Sequence, residues 1–186
     1  MTPPRTARHD RGHVVDVALE LLDRVGLPDL TMRRLAAELD VQPSALYWHV
    51  ASKQELLAAV ADRILDRTPP SPDDGVPAAA RSIRDALLAY RDGAEVVMSS
   101  YALGLGARHA YDVLAGALRR AGIPDVDASA AVLLQFVLGH TLVVQQRMHA
   151  ESHGAAGVDG GWIESARSDA AIFDHGVRAL VALPAR

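Results

Sequence analysis

The stretch from Thr31 to His49, TMRRLAAELDVQPSALYWH, admits few folds. Thr31 is a good helix N-cap, because its hydroxyl can accept a bond from an orphan backbone N–H of the first turn. Leu35, Ala36 and Leu39 then fall at helical spacing and make a narrow apolar face. Asp40 stands where that helix should stop, since aspartate tolerates turn geometry, and Val41 fills the inner corner. Pro43 suits the first turn of a second helix, where a missing N–H costs nothing. Leu46 and Val50 point this helix back to a core and leave Ser44, Ala45, Tyr47, Trp48 and His49 outward. Of the two aromatics, Tyr47 is expected to face solvent and Trp48 to be partly buried. Two short helices joined by a tight turn, the second with such an outward face, make the helix-turn-helix plan.

The surrounding chain is built to support it. Asp10 to Val25 carries Val14, Ala18, Leu21, Leu22 and Val25 at helical spacing, and Gly26 follows where a left-handed cap residue is wanted. Ser52 and Glu55 form a capping box for a helix over 53–67. Thr68 to Gly75, TPPSPDDG, is the sharpest composition shift and marks a boundary. Beyond it, helices are expected over 77–92, 94–98, 107–121, 127–150 and 162–183. Gly93 interrupts between the first two, and 101–106 reads as a glycine-bearing loop. The stretch 152–161, SHGAAGVDGG, should be mobile. No strand pattern or repeat emerges. The expected architecture is all-α, with a helix-turn-helix domain over 1–67, a linker over 68–75 and a second helical domain over 76–186.

Composition narrows the function classes. Aromatic residues are only 4% of the 186, so the core must rest on Ala, Leu and Val, which favours closely packed helices. With no cysteine, disulfides and Cys-based zinc sites are excluded. The start, MTPPRTARHDRG, lacks the apolar stretch of a signal peptide. Apolar runs fall short of the ~20 residues that span a bilayer. A cytoplasmic location without a membrane partner is therefore expected. The net charge of −4 does not advertise a nucleic-acid binder. Placement matters more: Arg5, Arg8 and Arg11 with His9 and His13 form a basic arm, and Arg33, Arg34 and Lys53 surround the two-helix unit, while Asp16, Glu20 and Asp23 can face away. No Gly-rich phosphate loop, GxSxG elbow or paired-carboxylate signature is present, so no catalytic residue and no cofactor is expected. His149 and His153 are four apart, a metal-ligand spacing, but they straddle the start of the glycine-rich stretch. No metal site is expected there.

At LTMRRLAAELDVQPSALYWHVASKQELL the sequence resembles the DNA-binding segment of the tetracycline repressor (TetR) family, and the resemblance runs from about Val14 to Arg67. AYRDGAEVV (Ala89 to Val97) and LGHTLVVQQ (Leu138 to Gln146) resemble the ligand domain of the tetracycline-repressor branch. The resemblance implies a homodimer with an N-terminal DNA reader and a C-terminal core that binds a small-molecule effector. It puts Arg33, Pro43, Ser44 and Ala45 at base-facing positions, Thr31, Tyr47, His49 and Lys53 near phosphates of a double-stranded operator, and Trp48 bracing the helix. The chemistry suits those roles: phosphate contacts fix register and base-edge contacts carry sequence information, an arginine can bond guanine bidentately, and small side chains approach a base edge or a thymine methyl closely.

The same resemblance puts Val97 and Val143 where the branch holds the drug's magnesium with a histidine and a glutamate. Aliphatic side chains cannot do so, because magnesium wants hard oxygen ligands. The expected effector is therefore small, largely apolar and other than magnesium–tetracycline. The expected pocket is lined by Tyr90, Val97, Met98, Tyr101, Leu103, Phe136, His140, Val143 and Gln145. The apolar helix over 127–150 and the stripe Ala166, Ala170, Phe173, Val177, Leu180 and Val181 suggest a four-helix dimer bundle. Two rival readings stand beside the ligand-responsive repressor. One is a small-molecule-binding or catalytic all-α protein whose helix-turn-helix is structural; the other is a DNA-bound regulator without a ligand.

Overall fold

The computed structural model describes residues 10–66, 75–152 and 169–182. The basic-arm residues Arg5, Arg8 and His9, most of the linker, His153 and Trp162 lie outside the described residues. Every regular element among the described residues is helical: α1 (Arg11–Val25), α2 (Met32–Glu38), α3 (Pro43–Leu46), α4 (Lys53–Leu65), α5 (Val76–Leu88), α6 (Gly93–Ala102), α7 (Arg108–Arg120), α8 (Val126–Ser152) and α9 (Asp169–Ala182).

Local signals set the N-terminal helices. Asp10 caps α1 by accepting from His13 N–H at 2.7 Å, and Thr31 caps α2 by accepting from Arg34 N–H at 3.1 Å. α2 ends in a Schellman turn: Val41 N–H bonds Ala36 O at 2.9 Å and Asp40 N–H bonds Ala37 O at 3.2 Å. Asp40 takes the left-handed conformation that this turn requires, at φ 52°. Ser52 Oγ accepts from Glu55 N–H at 3.1 Å, and the Glu55 carboxylate returns to Ala51 N–H at 3.0 Å, one residue short of the expected capping-box partner. Leu22, Leu35, Leu46, Leu56 and Ile64, from α1 to α4, are each no more than 1% exposed and form the small core of this unit.

The C-terminal helices wrap α8, which packs against α5, α6, α7 and α9; α4 packs on α1 and on α6, joining the two halves. The elements near α6 differ from expectation. The α6 helix runs through Tyr101 and Ala102, where a loop was expected, because Ser100 Oγ folds back onto Val96 O at 2.9 Å and is satisfied inside the helix. Its 27 residues and a mean hydropathy of 1.6 over its most apolar window make α8 long and apolar enough to cross a bilayer, contrary to the sequence expectation. It forms the central helix of this bundle instead, with Leu133, Leu134, Val137 and Leu138 at most 1% exposed.

Candidate nucleic-acid interface and effector core

The reading surface is assembled from α2 and α3. Only Pro43–Leu46 is α-helical in the second unit. Tighter i→i+3 bonds continue it, from Trp48 N–H to Ala45 O at 3.3 Å and from His49 N–H to Leu46 O at 2.9 Å. Leu46 and Val50, at 1% and 2% exposure, anchor this segment in the core. Ser44, Pro43 and Arg33 are exposed, and Ala45, His49 and Lys53 are half-buried. Trp48 is 90% exposed and Tyr47 52% exposed. Trp48 therefore does not brace the helix, contrary to the expectation that it would be partly buried. The tightened turn after Leu46 carries the indole off the core side, and His49 takes the partly covered position instead. An indole left almost wholly in water is the informative exception to apolar burial.

The basic side chains divide into paired and free. Arg34 lies 3.4 Å from Asp29, Arg24 lies 2.7 Å from Glu38, and Arg63 lies 3.1 Å from Asp16. Arg33 has no ion pair or hydrogen bond with any described residue, and it lies on the exposed side of α2. Thr31 uses its hydroxyl oxygen as the cap of α2, so only its proton is left for a phosphate.

The residues expected to line one effector pocket fall in several places. Val97 is fully buried, and Met98 is partly buried beside the core. Val143 is 58% exposed and Leu103 60% exposed, so neither lines an interior site. α8 is apolar all round and turns its Val143 side outward. Leu103 sits in the turn that ends α6, where Leu105 N–H bonds Ser100 O at 3.0 Å.

Gln145 is buried, but its amide is wholly engaged by backbone. Its Nε2 donates to Leu87 O at 3.1 Å and to Tyr90 O at 2.8 Å, while its Oε1 accepts from Ala94 N–H at 2.9 Å. Gln145 is therefore a clamp on the α5–α6 turn, and it brings in Tyr90 only through that residue's carbonyl.

Phe136 and His140 do come together, with ring centroids 5.9 Å apart, and Phe173 of α9 closes the group at 5.8 Å from Phe136 and 5.3 Å from His140. The Arg84 guanidinium lies 4.7 Å from the centre of the Phe173 ring. Phe173 was expected to face a partner chain, yet it is fully buried within its own. Arg84 and Phe173 were missed as parts of this group. The available signal was scarcity: Phe136 and Phe173 are the chain's two phenylalanines. Tyr101 lies elsewhere, in a cleft of about 620 Å³ lined also by Asp62, Tyr111, Arg108 and Asp127. There Asp62 accepts from Ala107 N–H at 3.2 Å, and burial pushes its pKa up. Among the described residues no group of three metal-ligating side chains occurs. His149 instead faces Asp92 at 3.4 Å.

His140 Nε2 is buried without a hydrogen-bond partner among the described residues. Burial lowers the pKa of this imidazole below the ordinary 6.5, outweighing the opposing charge of Asp169. The unfolded chain therefore takes up a proton first as pH falls. The His140 contribution is complete above the unfolded value of 6.5 and is lost as pH drops from there toward the lower folded value. His140→Phe should flatten that acid limb, which urea unfolding on either side of this window will measure.

A compact helix-turn-helix head with an outward aromatic and an unpaired arginine, set on a helical core, defines a DNA-binding regulator. The family described as bacterial regulatory proteins, tetR family, matches residues 14–60, and the tetracyclin repressor-like C-terminal domain matches residues 69–169. The chain belongs to the TetR family.

The class D tetracycline repressor protein of Escherichia coli is 46% identical over 101 residues, covering 48% of this chain and 45% of that protein. The chain thus spans about half the length of the curated relatives it matches most strongly. The crystal structure of BioQ from Mycobacterium smegmatis has a TM-score of 0.76 at 41% identity, covering 92% of this chain and 99% of that one. BioQ with its double-stranded DNA operator has a TM-score of 0.76 at 38% identity, covering 94% and 99%. This chain therefore has the fold of transcriptional repressors seen on operator DNA. Regulators of this family are transcription factors, not enzymes.

Proposed function

We propose that this protein is a dimeric transcriptional repressor that binds a palindromic operator and is released by a small-molecule effector other than magnesium–tetracycline. The carrying observation is the exposed face of α3 and the turn after it, where Tyr47 and Trp48 stand out from a head whose other large apolar groups are buried or partly buried. In this reading residues 1–67 read DNA, 68–75 connect, and 76–186 bind effector and dimerise, in the cytoplasm. Arg33, Pro43, Ser44 and Ala45 face bases. Thr31, Tyr47, His49 and Lys53 approach phosphates, and Trp48 packs on the DNA backbone rather than on its own helix.

Dimerisation is supported by apolar side chains left in solvent on α8 and α9: Val132, Val143, Met148 and Ile172 are each 48–58% exposed. A two-fold dimer sets its recognition helices ~34–36 Å apart, one DNA turn, or a multiple. Exclusion of magnesium–tetracycline rests on Val97, which is fully buried in the core and whose side chain offers no oxygen or nitrogen to a cation. An effector binding between α4 and the core would displace α4, and it releases DNA only through its differential affinity for the two states. The Phe136–His140–Phe173 group, on α8 and α9, offers an effector apolar rings and one nitrogen that has no partner among the described residues.

Selection from random duplexes should recover a palindrome. On it, Arg33→Ala should lose ~1–3 kcal/mol of specific binding and relax preference at one base position per half-site. Unchanged affinity and selectivity would remove Arg33 from the reading set. Magnesium–tetracycline should leave the operator complex intact, and release by that drug would refute the effector assignment.

A further inference from the structure

Asp92 takes no part in the reading surface, yet it is only 6% exposed. As N-cap of α6 it would ordinarily accept from the first turn of its own helix. It makes no such bond and holds a left-handed φ of 56°. Its Oδ2 instead accepts the backbone N–H of Leu27 at 2.7 Å, in the turn between α1 and α2 of the DNA-reading head. Its Oδ1 lies 3.4 Å from Nδ1 of His149, near the end of α8. One carboxylate therefore touches the head and the long core helix together.

The neighbouring residue adds a second tie. Arg91 N–H donates to Asp23 Oδ1, on α1, at 3.0 Å. Gly26 permits this approach: at φ +83°, a Cβ there would come within 2.9 Å of Asp92 Oδ2 and 3.1 Å of Arg91 Nε. The α5–α6 turn that carries both ties is held on α8 by Gln145, one helical turn before His149. A continuous run of bonds thus leads from α8 through this turn to the α1–α2 turn, apart from α4.

We infer that Asp92 is a positioning residue for operator binding, which fixes the orientation of the reading head on the core. A body attached along one helix can rotate about that attachment, and a second attachment removes the rotation. Two heads with fixed orientation match one half-site spacing; two heads free to rock tolerate several. This inference rests on the palindrome reading above.

The test compares wild type, Asp92→Asn and Asp92→Ala on the selected palindrome and on versions with one base pair added or removed at its centre. Wild type should prefer the selected spacing. Asp92→Ala should shrink that preference by about fivefold or more, the lower end of ordinary coupling between sites. Asp92→Asn keeps a carbonyl acceptor for Leu27 N–H and should fall between. A variant that is merely less folded weakens binding to every duplex by one factor and leaves the ratio unchanged, and an unchanged ratio in both variants overturns the inference. A wild-type protein that selects a sequence but ignores spacing overturns the palindrome reading and the clamp with it. Wild-type discrimination with unchanged variant ratios overturns the clamp alone.

Discussion

Gln145→Leu should destabilise the fold by ~3–5 kcal/mol, because leucine supplies none of three hydrogen bonds to buried or part-buried backbone groups. Ala94 N–H belongs to the first turn of α6, where no intrahelical acceptor exists. Leu87 O stands at the C-terminal end of α5, and Tyr90 O lies in the turn that follows. Gln145 supplies the acceptor for the first and a shared donor for the other two, at 2.8–3.1 Å, and of the three only Tyr90 O keeps another partner, the Gly93 N–H at 3.1 Å. Each group stranded away from water costs ~1–3 kcal/mol. Leucine nearly conserves volume, so a cavity contributes little. Urea unfolding should show a lower midpoint with an unchanged slope. Had Gln145 been an effector-pocket residue, as its place in a helix with a ligand-domain resemblance suggests, leucine would alter effector response and shift stability by less than about 1 kcal/mol. That pattern would restore it to the pocket.

The contrast shows which features are legible in a chain. Thr31, Ser52 and Pro43 act on the backbone within three or four residues, so cap, capping box and helix start can be read from order alone. The head is a run of such local devices, and its helices follow from them. Gln145 and Asp92 act on backbone 51–65 residues distant, and no pattern in the sequence pairs them. Val143 was placed in the pocket by the resemblance of Leu138–Gln146 to the ligand domain, and α8 lacks the periodicity that would say which side meets the core. Trp48 was placed against its helix by the family resemblance, and the order of polar and apolar residues cannot tell a continuing α-turn from a tightened one. That choice rotates the following side chain. The exposed set on α3 and the turn after it was legible, since exposure there follows from burial of Leu46 and Val50. The effector lining was not, since it depends on how helices from separate parts of the chain meet.

Phe173→Ala should cost ~3–5 kcal/mol, the usual loss for a fully buried phenylalanine. Its ring has no solvent exposure and lies against Phe136, His140 and the Arg84 guanidinium. Neighbours cannot easily collapse into the gap, because α9 already approaches closely at Gly176, where a Cβ would collide with the Phe136 ring. Two ion pairs also tie α9 down, Arg81–Asp174 at 2.8 Å and Arg147–Asp169 at 2.7 Å. Both pairs reach solvent, and such pairs contribute only ~0–1 kcal/mol each. The ring therefore dominates the docking of α9. For a chain of this size 1 kcal/mol moves the melting temperature by ~2–4 °C, so a fall of roughly 6–20 °C is expected. Phe173→Leu should recover more than half of it. If α9 with Ile172 forms half of the dimer bundle, the alanine variant should also dissociate at higher protein concentration than wild type in sedimentation equilibrium. An unchanged melting temperature would show that the ion pairs, not the aromatic group, hold α9. Lower stability with unchanged dimer affinity would place the interface on α8 alone.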